Sequence, residues 1–168
     1  VLFYWANGYR KKSFIFTLTL IFLFGFLVEL IGVHYKFIFG DYSYGNALGL
    51  KIFQTPLIIG VNWINLSLAC FGISSFFVRN NFLVALIASI LMVLTDFIIE
   101  PLSGLLDFWY WSGNQIPLQN YIGWFFVSFL IQLFLIRSKV ELKLQLCFAL
   151  LISQIIFFLI QYINHGLF

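Results

Sequence analysis

The stretch VLTDFIIEP, residues 93–101, sets Asp96 and Glu100 four positions apart at the end of the uncharged run FLVALIASILMV. On a helix this spacing aims both side chains at one face. Carboxylates are costly inside a bilayer, so a pair in such surroundings reads first as a functional site. Close together in a low dielectric the two cannot both ionise, and one keeps its proton. A protonated carboxyl group in an apolar pocket is a general acid, and its ionised neighbour is the matching base. The expected chemistry is therefore proton transfer at an apolar substrate. Glu29, near the end of another apolar run, is a third carboxylate of the same kind.

Other chemistries lack their residues. There is no Gly-rich phosphate loop and no Ser–His–Asp spacing. His34 and His165 are too few for a histidine-rich iron site, and His34 reads as a surface residue. Glu29, Asp96 and Glu100 lack the Glu-x-x-His pattern of carboxylate-bridged metal sites, so no metal is expected. Cys70 and Cys147 lie inside apolar runs and read as small hydrophobes at helix interfaces.

The elements that must position these carboxylates are membrane helices. Of the 168 residues 62% are hydrophobic and 9% charged, against about 25% charged in soluble domains, and the mean hydropathy is +1.03. These values specify an integral membrane protein, an all-α polytopic bundle within a single transmembrane domain. A crossing helix needs about 20 mainly apolar residues. Five segments qualify: about 13–33, 56–78, 82–100, 121–136 and 140–163. The fourth is short and borrows 117–120 as its interfacial start. Pro56 and Pro101 are expected where helices begin and end. The opening VLFYWANGYRKK reads as the tail of an apolar segment followed by a basic stop, not as a cleavable signal, and predicts a truncated amino terminus.

Loop charges set an orientation. Arg10, Lys11, Lys12, Arg79, Arg137, Lys139 and Lys143 fall on one side, and Lys36 and Lys51 on the other. Seven basic residues against two predict a cytoplasmic amino terminus and a carboxyl terminus outside the cell (inner) membrane. The net charge of +3 is spread over these short loops, which argues against a nucleic-acid surface. Glu29, Asn62, Asn65, Asp96, Glu100, Asn120 and Trp124 then all lie toward the outer side, with both long loops. Convergence of polar groups from five segments is what a site requires. Around them runs an aromatic belt of Tyr42, Tyr44, Trp63, Trp109, Tyr110, Trp111 and Trp124. Such residues anchor helices at the interface, or they wall a pocket for a long apolar molecule and face a cationic intermediate. The glycines of FGDYSYG are expected to turn the first loop back over the bundle.

In order along the chain, ELIGVH (29–34), FGDYSYGNALG (39–49), PLIIGVNW (56–63), TDFIIEP (95–101) and FWYW followed by IPLQNYIGW (108–124) resemble the carotenoid biosynthesis membrane protein family. That family includes carotenoid 1,2-hydratases acting on acyclic ψ-ends. One departure is Tyr35-Lys36, where the family usually has Thr-Gly. The resemblance implies addition of water to a terminal C1,C2 double bond without a cofactor, by protonation of C2 and capture of the tertiary cation. Asp96 and Glu100 would be acid and base in an unassigned order, with Glu29 tuning them or holding the water. Asn62 and Asn120 would orient water or carboxylates; Trp63, Trp111, Trp124, Tyr42 and Tyr44 would wall the substrate. Membrane-embedded carotenoid and lipid, and other enzymes of the pathway, are the implied partners. Two further readings stay open: an end-group cyclase using the same protonation, and a non-catalytic carotenoid- or lipid-binding subunit.

Overall fold

The structure is a computed structural model and describes residues 12–140 and 142–167; the VLFYWANGYRKK stop is outside these residues except for Lys12. Among the described residues there are five α-helices: α1 (Lys12–Tyr35), α2 (Ile58–Phe77), α3 (Asn81–Ser103), α4 (Leu118–Ser138) and α5 (Leu144–Asn164). Each is long and apolar enough to cross a membrane. At 1.5 Å per residue even the shortest, 20 residues, spans about 30 Å, the thickness of a bilayer's hydrocarbon core.

The central helix is α2, which packs on α1, α3 and α5 and touches α4. Its near-continuous buried run from Leu66 to Ser74 reflects that position. Helix α3 instead presents one stripe, Val84, Ala85, Ala88, Ser89, Met92, Thr95, Asp96, Ile99 and Glu100. The stripe follows the three-and-four spacing of a helix face, so the packing that buries Met92 carries Asp96 and Glu100 inward too. Asn80 caps α3, its Oδ1 accepting from the backbone N–H of Phe82 (3.0 Å) and Leu83 (3.1 Å).

Pro101 lies inside α3, which continues to Ser103. The expectation that the helix stops at this proline is corrected: Ser103 Oγ donates to the Glu100 carbonyl at 2.8 Å and helps to close the last turn. Pro56 likewise precedes its helix by two residues and sits in a short strand. Helix α4 begins at Leu118, directly after Pro117, so Asn120 stands in a helical first turn.

The two long connections lie at one end of the bundle and zip together. Strand β1 (Tyr42–Tyr44) of the first pairs antiparallel with β4 (Trp109–Trp111) of the second, with Tyr42 opposite Trp111 and Tyr44 opposite Trp109. Between them in sequence, β2 (Lys51–Ile52) and β3 (Thr55–Pro56) form a separate hairpin. Gly40, at φ +115°, turns the first loop where a Cβ would stand 2.7 Å from Pro117 Cγ. Beyond it Phe39 is buried beneath the loop, against Gly32 and Gly123. The loop does fold back over the bundle, and its underside meets the carboxylates.

Candidate active site

Each carboxylate has its own set of donors. Glu29, on α1, accepts from the hydroxyls of Tyr42 (2.6 Å) and Tyr44 (2.7 Å) on Oε2 and from Trp63 Nε1 (3.1 Å) on Oε1. Burial, and then the adjacent Glu29 charge, push both phenols well above their ordinary value of 10, so they stay donors at physiological pH. Glu100, on α3, accepts from the indoles of Trp111 (2.7 Å) and Trp109 (3.1 Å) on Oε2 and from Asn120 Nδ2 (2.8 Å) on Oε1. The same Asn120 nitrogen donates to Asp96 Oδ2 at 2.9 Å. Asp96 is fully buried, and its Oδ1 has no hydrogen-bond partner.

The donors come from the loops for a structural reason. Residues two apart in a strand point the same way, so Trp109 and Trp111 of β4 reach Glu100 together. Tyr42 and Tyr44 of the paired β1 reach Glu29 together. The short sheet thus presents two indole N–H groups to one carboxylate and two phenols to the other.

Between Glu29 and Glu100 lies a cavity of about 30 Å³, room for one or two waters at roughly 10–15 Å³ each. Tyr42, Tyr44, Asn62, Trp63, Asn120 and Trp124 also line it, along with the two loop indoles. Trp63 and Trp124 stack with ring centres 4.3 Å apart. Trp111 lies against Tyr42 at 5.1 Å. The walls are therefore aromatic, and of the lining residues only Phe39 and Ile59 carry no polar group.

Of the candidates from sequence, Glu29, Glu100, Asn62, Trp63, Tyr42, Tyr44, Trp111, Asn120 and Trp124 all line this one cavity. Asp96 does not; it stands behind Asn120, joined through the shared amide. Asn65 is half-buried on α2, away from the cavity wall. His34 is exposed, its Nδ1 2.9 Å from the Leu30 carbonyl. Among the described residues no three His, Cys, Asp or Glu side chains gather closely enough to hold a metal ion.

Trp109, expected as part of the aromatic belt, is also a donor to Glu100, a role that the alternation in WYW could have revealed. Two contributors were not singled out from sequence. Phe39 is a cavity wall with no polar signal of its own. Gln154, a polar residue within the apolar α5, donates to Asn62 Oδ1 at 2.9 Å.

The profile of the family described as carotenoid biosynthesis protein matches residues 1–167. The chain belongs to this family. It is also 29% identical over 115 residues to the bisanhydrobacterioruberin hydratase of Haloarcula japonica, covering 61% of this chain. The aligned part spans 38% of that relative's length. No solved structure is significantly similar to the chain. The five apolar helices and the family together make this a membrane protein of carotenoid biosynthesis.

Proposed function

We propose that this carotenoid biosynthesis protein is a hydratase, adding water to the terminal C1,C2 double bond of an acyclic carotenoid ψ-end. The observation that carries this reading is the pair Glu29 and Glu100, brought by different helices to one water-sized, aromatic-walled cavity. The relative named as a hydratase supports the same reaction class.

Asp96 and Glu100 hold one proton between them, kept adjacent by Asn120. Glu100, the member facing the cavity, passes that proton to C2; the π electrons form the new C–H bond and leave a tertiary cation at C1. The ring faces of Trp63, Trp124 and Trp111 offer electron density to the cation. Water in the cavity attacks C1, and Glu29, which accepts from three donors, takes up its released proton. Return of that proton through cavity water to the Asp96–Glu100 pair restores the starting state. The sum is alkene plus water giving a tertiary alcohol, and no oxidant or reductant is consumed.

A cyclase would use the same first step and then quench the cation with an internal double bond. A polar cavity of water size between two carboxylates favours hydration. Charge also supports an orientation, with the site toward the outer leaflet of the cell membrane. Among the described residues Lys12, Arg79, Arg137, Lys139 and Lys143 lie at the opposite end, and only Lys36 and Lys51 at the site end.

The test is expression in cells accumulating a carotene with a free ψ-end, followed by mass analysis of pigments. A product heavier by one water, lost in a normally abundant Glu100→Gln variant, is expected. Full activity of that variant, or a product of unchanged mass, would overturn the proposal.

A further inference from the structure

Beside the carboxylate cavity runs a groove of about 340 Å³ between α2, α3 and α5, within the range of roughly 300–1,000 Å³ usual for ligand sites. Leu48, Ile58, Ile99, Phe108, Phe157 and Phe158 form most of its surface. It shares Ile59, Asn62 and Trp109 with the cavity, so one set of side chains forms the floor of the groove and the wall of the site. At this junction Gln154 donates to Asn62.

A second apolar groove of similar size, about 320 Å³, lies between α1 and α4. It is lined by Leu20, Ile21, Phe24, Leu130, Ile131 and Phe134, and none of these touches the cavity. Volume and apolarity are therefore common to both grooves, and only the first shares lining residues with the carboxylate cavity. Its outer flank is built from side chains such as Ile58 and Phe157, both exposed on the lipid-facing sides of α2 and α5. Helix α5 is the most exposed of the five, which leaves this side of the bundle open to the bilayer.

We propose that the α2–α3–α5 groove receives a linear apolar isoprenoid chain laterally from the membrane, with its end passing Asn62 and Trp109 to the carboxylate cavity. This rests on the hydratase reading for the identity of the reacting end. The cavity of about 30 Å³ cannot enclose such a molecule, so the chain behind the reacting carbons must lie elsewhere, and only the shared Ile59, Asn62 and Trp109 stand between the groove and the cavity. The Asn62–Gln154 pair sits where that chain would turn inward. Gln154 occupies the Asn62 oxygen and leaves its NH₂ group as the donor available to the reacting end or its water. Gln154 is thus a positioning residue acting through Asn62.

The experiment is photolabelling of the protein in nanodiscs with a linear polyprenyl diazirine, mapped by peptide mass spectrometry and competed with an acyclic carotene. Labels are expected on residues 58–62 and 153–158. They should fall at least fivefold in Ser153→Trp, which fills the groove from an exposed position without touching the carboxylates. Label concentrated on 20–24 and 130–134, or unchanged by Ser153→Trp in protein with wild-type thermal stability, would overturn the proposal. Loss of labelling that accompanies a lowered melting temperature is resolved by Phe157→Trp, for which the same loss is expected at unaltered stability and undiminished labelling would refute the groove. Labelling does not depend on turnover. Labelled groove residues in a protein that never hydrates carotene would sink the hydratase reading alone, whereas hydration with label elsewhere would sink the groove alone.

Discussion

Tyr42 and Trp111 face each other across the β1–β4 pair, and each holds a different carboxylate: Tyr42 hydrogen-bonds Glu29, Trp111 hydrogen-bonds Glu100. Their rings lie 5.1 Å apart. The register of two three-residue strands therefore sets the spacing of two groups that belong to separate transmembrane helices. Loop pairing and the geometry of the candidate site become one property of the molecule.

Tyr42→Phe deletes one donor and keeps the ring; Trp111→Phe deletes one donor and leaves an aromatic ring smaller than the indole. If the protein is the proposed hydratase, each is expected to lower hydration about 10-fold or more, as loss of a charge-assisted hydrogen bond of about 1.5–3 kcal/mol allows. Because the rings touch, the double variant should depart from the product of the two single effects. Product formation per unit of folded protein measures all three. The Tyr42 phenol is pushed well above 10 by burial and by Glu29. The phenol therefore keeps its proton, and its place as donor to Glu29, between about pH 6 and about pH 9.

Asn120 bridges Asp96 and Glu100 with one nitrogen. Asn120→Leu strands acceptor oxygens of two buried carboxyl groups and should cost about 2–4 kcal/mol, abolishing hydration. Adding Asp96→Leu removes one of the stranded groups and should recover part of the stability without recovering activity. Thermal unfolding in detergent, together with pigment analysis, separates the two effects. Recovery of activity in the double variant would deny Asp96 any share in proton handling.

Gly25 is the footing of Trp63. A Cβ there would stand 2.5 Å from Trp63 Cγ, and Trp63 is fully buried and stacked on Trp124. Gly25→Ala should displace the indole from Glu29, cost about 1–3 kcal/mol by overpacking, and reduce hydration more than Gly104→Ala, where φ is −69° and a Cβ would meet nothing closer than Tyr110 Cδ1 at 3.6 Å. Comparing melting temperature with product yield for the two variants checks this.

The sequence makes the carboxylate face of α3 legible because a four-residue spacing on an uncharged run has one helical meaning. The five helices follow from apolar length, and their ends move by a few residues where local bonding overrides the pattern, as Ser103 does after Pro101. The β1–β4 pair was not legible: two three-residue strands about 65 positions apart in the chain carry too little periodicity to announce each other. Gly25 was equally silent, since a glycine within an apolar helix gains its meaning only from the indole opposite. Asp96 and Glu100 share a helix face, yet Asn120 and its helix leave only Glu100 on the cavity wall. That division depends on a partner helix and on no spacing within α3.

Asp107 latches the two loops from outside the membrane helices. Its carboxylate accepts from the Tyr110 hydroxyl (2.8 Å) and the Asn46 backbone N–H (3.0 Å), and its backbone meets Ala47. The Tyr110 hydrogen bond, then that of Asn46, hold the carboxyl below its ordinary value of 3.8. A group lowered on folding contributes stability that is complete above its unfolded value and is lost as pH falls through the folded one. Asp107→Asn keeps the left-handed backbone at φ 55°, which Asn tolerates, but removes the charge. Wild type should therefore melt above Asp107→Asn near pH 7, and the gap should narrow progressively as the pH falls below the ordinary value of 3.8. Measured as melting temperature in detergent at several pH values, a gap that stays constant through that range would show that the latch holds by packing and not by the Asp107 charge.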